Sequence, residues 1–163
     1  MVDVIAIAGA PGSGKSSLAE LLRDKLSSTN IDYGRLREFH LDREWKSQSD
    51  QEEQITFENL LLIIRNYLHH NYRNIIIHDL RDFRVQQMPA EFQNSIIITL
   101  IPENSELEKR IRLRNEGWKD TAEAIKWNES VKSKPLLPNE YRIDNTDQAP
   151  EKTLDEVIKI LSK

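Results

Sequence analysis

The chain has 163 residues, 38% of them hydrophobic and 31% charged, with a mean hydropathy of −0.62. That is enough apolar material to offset chain entropy, which excludes general disorder and makes one domain over residues 1–163 the expectation. Zero cysteines exclude a disulfide framework and Cys-ligated zinc, and a net charge of −4 argues against a dedicated nucleic-acid binder. The longest apolar stretch, Ile96 to Ile101, is far too short to span a bilayer, and Met1-Val2-Asp3 lacks the basic start of a secretory signal. A cytoplasmic protein without membrane contact is expected.

Val2 to Ala8 is a nearly unbroken apolar run ending before Gly9, the pattern of a central parallel strand covered on both faces. From Lys15 to about Thr29, Leu18, Leu21, Leu22 and Leu26 recur at helical spacing. Tyr33 to His40, with alternating Leu36 and Phe39, reads as a second, weaker strand. Ser49 with Glu52 is a capping box opening a long helix whose buried face is Ile55, Leu60, Leu61, Ile64 and Leu68. Ile75 to His78 is the third strand, Arg81 to Ala90 holds a short helix, and Ser95 to Ile101 is the fourth strand, ended by Pro102. A second capping box, Ser105 with Glu108, predicts a helix through about Asn115, broken at Gly117. Asp120 with Glu123 predicts another to about Ser133. Pro135 and Pro138 then mark an extended return to a fifth strand, Tyr141 to Ile143, and Pro150 suits the first turn of a last helix with Leu154, Val157, Ile158 and Leu161 facing inward. This alternation predicts a parallel sheet with helices on both faces and ligands at the carboxyl ends of the strands.

Directly after the first strand come Gly9, Ala10, Pro11, Gly12, Ser13, Gly14, Lys15 and Ser16, a complete phosphate-binding pattern, with Ser17 continuing into the helix. The glycines let backbone N–H groups wrap closely around a phosphate, and the helix start adds free donors and its dipole. Lys15 is placed for the β- and γ-phosphates and the Ser16 hydroxyl for Mg²⁺. The plain alternative is a glycine-rich turn with an exposed lysine; the position between a buried strand and an amphipathic helix favours the phosphate reading.

The loop and the element order resemble the small P-loop nucleoside and nucleotide kinases, the adenylate-kinase-like, dephospho-CoA-kinase-like and uridine-kinase-like groups. The resemblance implies a three-layer α/β P-loop NTPase fold: a five-stranded parallel sheet in the order 2-3-1-4-5, a small helical lid at about 110–135 and an acceptor-binding insertion at about 42–72. It also implies ATP and Mg²⁺ as cofactors, and a small-molecule phosphoryl acceptor with no nucleic acid; a monomer or homodimer is expected. The lid arginines of that family match Arg110 and Arg114, four apart on one helix face and able to reach one anion. A solvated basic face balancing Glu106, Glu108 and Glu116 is the other reading. Trp118 and Trp127 serve either lid packing or base stacking.

Asp79, after Ile75-Ile76-Ile77-His78, resembles a Walker B carboxylate that binds Mg²⁺, with a surface turn as the alternative. Asp42 matches loosely the aspartate that accepts a substrate hydroxyl proton in uridine-kinase-like enzymes, or belongs to an ordinary polar loop. For the acceptor, Arg43, Arg81 and Arg84 suit an acidic group and Trp45 a planar one, or these residues only stabilise their loops. Ile143-Asp144-Asn145-Thr146 resembles the turn around adenine, where Asn145 is assigned. The four histidines show no metal spacing. The function expected is a phosphotransferase, an ATP-dependent kinase moving the γ-phosphoryl group to a nucleoside, nucleotide or related metabolite. The alternative is a nucleotide-dependent switch with slow hydrolysis, against which stands the lack of an Asn-Lys-x-Asp element.

Overall fold

The computed structural model of the chain describes residues 2–44, 46, 48–115 and 117–162. Its centre is β1 (Val4–Gly9), buried along its whole length because it is flanked on both edges and covered on both faces. It pairs in parallel with β3 (Ile75–His78), Val4 opposite Ile75, and with β4 (Ser95–Leu100), Val4 opposite Ser95. β2 (Asn30–Asp32) and β5 (Glu140–Ile143) complete an all-parallel sheet in the order β2-β3-β1-β4-β5. This is the expected three-layer arrangement.

Strand alternation sends Val4, Ala6, Ile75, Ile77 and Ile97 to one face, where α3 (Asp50–His69) lays Phe57, Leu60, Leu61 and Ile64. Ile5, Ile7, Ile76, Ile98 and Leu100 go to the other, against Leu18, Ala19 and Leu22 of α1 (Lys15–Leu26) and Val157 of α8 (Pro150–Leu161). Each fully buried aliphatic side chain contributes roughly 1.5–3 kcal/mol. The Ser49–Glu52 capping box forms at the start of α3 as its spacing predicts. Ile55 does not join the buried face of that helix, being 37% exposed, and Phe57 takes its place. Among the described residues no helix is long and apolar enough to cross a membrane.

Three elements depart from the sequence reading. The segment expected as a strand from Tyr33 to His40 is the short helix α2 (Tyr33–Arg37), and β2 precedes it as only three residues. The cause is Asp32, whose side chain accepts from the Gly34 backbone N–H at 2.8 Å and caps a helix there. Phe39, one of the two alternating residues behind the strand expectation, is 78% exposed. The Arg81–Ala90 region divides into α4 (Asp82–Val85) and α5 (Met88–Glu91), with Pro89 in the opening turn of the second. Finally, α6 (Asn104–Arg112) is capped by the backbone at Glu103, so Ser105 lies inside its first turn and the second capping box does not form. Asp120 does cap α7 (Thr121–Ser133), accepting from Glu123 N at 2.9 Å.

Candidate active site

The loop from Gly9 to Ser16 joins β1 to α1 as the motif requires. Gly14 caps α1 in the left-handed region at φ 102°, without a side-chain hydrogen bond to the helix start. The first-turn N–H donors of α1 are thus left without a side-chain cap, the condition under which a helix start can receive an anion. Lys15 is 9% exposed, and its Nζ donates to Gly9 O at 3.0 Å and Ala10 O at 3.1 Å. Burial pushes its ammonium below the usual lysine range; Asp79, Asp82 and Asp32 oppose that shift and Arg114 adds to it. One lysine therefore stands in the field of three carboxylates and an arginine. Ser16 and Ser17 are exposed at the start of the helix.

Asp79 follows β3 in the left-handed region, at φ 65°. Its Oδ2 lies 2.7 Å from the point that a Cβ on Gly34 would occupy, and Asp32 Oδ1 lies 3.0 Å from the same point. Only a glycine leaves room for both carboxylates. Asp32 was not singled out by the sequence reading, which looked for a base at Asp42. The structure places Asp42 well past the end of β2, in an exposed turn where its Oδ1 accepts from Glu44 N and Lys46 N, both at 2.9 Å. The strand end that should deliver a carboxylate delivers Asp32 instead. Arg43 is exposed in that same turn, and Trp45 lies outside the described residues.

Hard oxygen donors suit Mg²⁺, which takes one or two carboxylates and keeps waters or phosphates for its other positions. Ser16, Asp79 and Asp32 fit that set, and the space beside Gly34 that a Cβ would fill is where the two carboxylates meet. Among the described residues no three His, Cys, Asp or Glu side chains group as a metal cage. His78 is buried beside these acids, and burial pushes its imidazole down while Asp32 and Asp79 oppose the shift.

On the β4–β5 side of the loop is a cavity of about 270 Å³, lined by Gly12, Gly14, Ser17, Leu100, Arg110, Arg114, Asn145, Gln148 and Pro150 among others. Arg110 forms its wall: Nε donates to Glu106 at 2.8 Å, Nη1 to Ser13 O at 3.2 Å and Nη2 to Asn145 O at 2.7 Å. Asn145 Nδ2 donates to Ser13 O at 2.8 Å, so Arg110 and Asn145 together brace the outer side of the phosphate loop. Arg114 reaches the same cavity, but from beyond the end of α6 rather than from a shared helix face. Arg112 pairs with Glu108 and takes no part. Trp127 packs against the cluster of Ala10, Leu107, Ile111 and Ala124 and donates its indole N–H to Asp82, which is the packing reading. Trp118 donates to Asp120 O.

On the β3 side, a cavity of about 400 Å³ is lined by Gln48, Ser49, Asp50, Glu53, Gln54, Arg81, Phe83 and Arg84. Arg84 is not available there as a clamp. It is 5% exposed, donates through Nε and Nη2 to Glu53, through Nη1 to Gln87 and through Nη2 to Gln54, and lies over the rings of Phe57 and Phe83. Burial pushes the Glu53 carboxyl up, but hydrogen bonds from Arg84 and from the Tyr33 hydroxyl outweigh it and hold the group below its ordinary range. Arg81 is exposed at the cavity edge, and Arg37, half-buried and donating to Gln48 at 3.1 Å, stands near it. Burial pushes Arg37 down and the Arg81 charge adds to this, while Asp79 opposes both. Arg37, hidden in a stretch expected as a strand, is the second residue the sequence reading missed.

A family model described as an AAA domain matches residues 5–134. The chain belongs to that family. A protein of Pyrococcus abyssi provisionally named an adenylate kinase is 24% identical over 97% of this chain and 83% of its own length. Among solved structures, a sugar kinase of Janibacter sp. HTCC2649 superposes with a TM-score of 0.73 at 16% identity, over 99% of this chain and 95% of that one. A gluconokinase of Sinorhizobium meliloti 1021 gives 0.73 at 15% identity, over 98% and 91%. The expected kinship with the P-loop kinases is borne out, and the sheet order is that of their fold.

Proposed function

We propose that this P-loop protein is an ATP-dependent kinase that moves the γ-phosphoryl group to a nucleoside, nucleotide or related small metabolite. The observation that carries this reading is the position of Lys15: its loop lines one cavity, the Asp32–Asp79 pair stands within its field, and Arg81, two residues past Asp79, edges a second cavity. A cavity at the phosphate loop and another past the neighbouring strand end suit a donor and an acceptor held for transfer.

The chain's own residues divide the work. Backbone N–H groups of Gly12, Gly14, Lys15 and Ser16 and the Lys15 ammonium hold the β- and γ-phosphates, the ammonium leaving the carbonyls of Gly9 and Ala10, while the Ser13 N–H stays on Ala10 O. The cavity walled by Arg110 and Asn145 takes the base and ribose. Arg114 covers the departing group from the segment 110–135, assigned as the lid. Mg²⁺, when bound, neutralises phosphate charge, and Ser16 with Asp79 is the set that would hold it. The acceptor enters from the side of residues 42–72. Arg37 and Arg81, two like charges held near each other, gain from an anionic group placed between them, so the acceptor carries a phosphate or carboxylate. For a hydroxyl acceptor, the oxygen attacks the γ-phosphorus, the bond to the ADP oxygen breaks, and Asp32 takes the proton.

This role is that of a cytoplasmic enzyme, monomeric or homodimeric, acting without nucleic acid. It is tested by thermal shift of the full chain with a non-hydrolysable ATP analogue, Mg²⁺ and a panel of nucleosides, nucleotides, sugar acids and coenzyme precursors. A true acceptor stabilises the protein only in the presence of the analogue or adds to its effect. Stabilisation by the analogue alone, with no response to any anion-bearing acceptor, favours a nucleotide-dependent switch.

A further inference from the structure

Asp82 opens α4, directly after the loop that carries Asp79 and Arg81. Both of its carboxylate oxygens are bonded to α7 and its C-cap: Oδ1 accepts from Trp127 Nε1 at 2.8 Å, and Oδ2 from Lys134 Nζ at 3.0 Å. These bonds span a hollow. A cavity of about 380 Å³ is lined by Asp82 and Val85 of α4, Val131 of α7, Lys134 and Leu137 after it, and Thr99 of the sheet. Close packing does not fix the spacing of α4 and α7 where that space lies, so the carboxylate does.

α7 itself is anchored independently of Asp82. Asn128 Nδ2 donates to Pro102 O at 2.8 Å and to Asn104 Oδ1 at 2.9 Å. Arg142, from the edge strand β5, donates to Lys132 O at 3.3 Å and Pro135 O at 3.2 Å. The loop at Asp79 is the weaker partner, since a non-glycine residue at φ 65° keeps that conformation only when its surroundings impose it.

We propose that Asp82 is a positioning residue: by bonding Trp127 and Lys134 it holds the Asp79–Arg81 loop against the anchored helix α7, and so keeps Asp79 beside the phosphate loop, where Mg²⁺ with the nucleotide is met. This rests on the reading of Asp79 as a metal-binding residue. Its consequence is a graded one. Loss of the tie leaves the phosphate loop intact but weakens the response to Mg²⁺.

The test titrates Mg²⁺ into the full chain with a fluorescent ATP analogue, comparing wild type with Asp82→Ala, Asp82→Asn and Trp127→Phe. The expected result is a Mg²⁺ midpoint more than twofold higher in Asp82→Ala, with Asp82→Asn, whose amide oxygen still accepts from Trp127, nearer to wild type. Hydrogen exchange of the amides at 79–82 should also be faster in Trp127→Phe, which carries the test alone if Asp82→Ala does not fold. A lowered Tm with the midpoint within twofold of wild type makes Asp82 merely structural and overturns the proposal. Nucleotide binding by the wild type that does not depend on Mg²⁺ overturns instead the metal reading on which it stands.

Discussion

Asp32 and Asp79, from the ends of two neighbouring parallel strands, converge on the one side of Gly34 where a side chain is missing. Their oxygens lie 3.0 and 2.7 Å from the absent Cβ. Replacing Gly34 by Ala should displace the Asp79 carboxylate, because that acid is exposed and can swing away. The fold should survive with Tm changed by a few degrees, while turnover falls by about tenfold or more, about 1.4 kcal/mol in the barrier. Unchanged turnover in a steady-state assay would detach the pair from the chemistry.

Asp32→Asn should lower turnover on a hydroxyl acceptor by about 10²–10⁴-fold, the usual worth of a positioned base. Asp42→Asn should leave it within about threefold, since the Asp42 side chain organises an exposed turn through Glu44 and Lys46. Parallel kinetics of the two variants decide which acid serves; the reverse ranking would return the role to Asp42.

The two arginines of the β3–α4 region should separate cleanly. Arg84→Ala leaves the buried Glu53 carboxylate without its cation, and a broken buried pair costs about 3–5 kcal/mol. Arg81→Ala, at an exposed position, should change stability by less than about 0.5 kcal/mol but raise the acceptor KM. Urea denaturation and initial-rate kinetics read the two effects independently. Equal stability losses would mean that Arg81 too is structural.

Acid should unfold the protein through two buried carboxylates. Burial pushes Glu53 and Glu140 up, but hydrogen bonds from Arg84 and Tyr33 in one case, and from Leu137 N, Arg142 and Thr99 in the other, outweigh it and leave both below the ordinary value of 4.5. A carboxyl depressed in the folded state lends stability that is complete above its unfolded value and drains as pH falls through its folded value. Stability should therefore decline below about pH 4.5, and the Glu140→Gln variant, weaker at neutral pH, should decline less steeply. Urea midpoints from pH 7 to pH 3 measure both slopes; parallel curves would contradict the assignment.

Much of this architecture is readable in the residues themselves. The phosphate loop is contiguous, β1 and the three isoleucines of β3 are apolar runs, and the Ser49–Glu52 and Asp120–Glu123 helix starts are local patterns. Asp32 escaped because β2 has three half-buried residues, too few for an alternation to register, while Leu36 and Phe39, behind the strand expectation, are three apart and so stand at helical spacing. A strand ending in an acid one residue before an aromatic and a glycine is the signal that could have found it. Arg84 misled for a different reason: its partner Glu53 lies 31 residues away, and a charge looks exposed in sequence until the fold supplies its counter-ion. Arg110 resembles a lid arginine by spacing, yet its bonds to Ser13 and Asn145 join segments far apart in the chain.

The account rests most directly on whether a phosphoryl group leaves ATP for another molecule. Phosphorus NMR of the full chain with ATP, Mg²⁺ and the acceptor panel should show the γ-phosphate resonance disappear as a new phosphorylated product grows in step with ADP, and Lys15→Met should abolish both changes. Release of inorganic phosphate alone, at one rate with and without the panel, would contradict it.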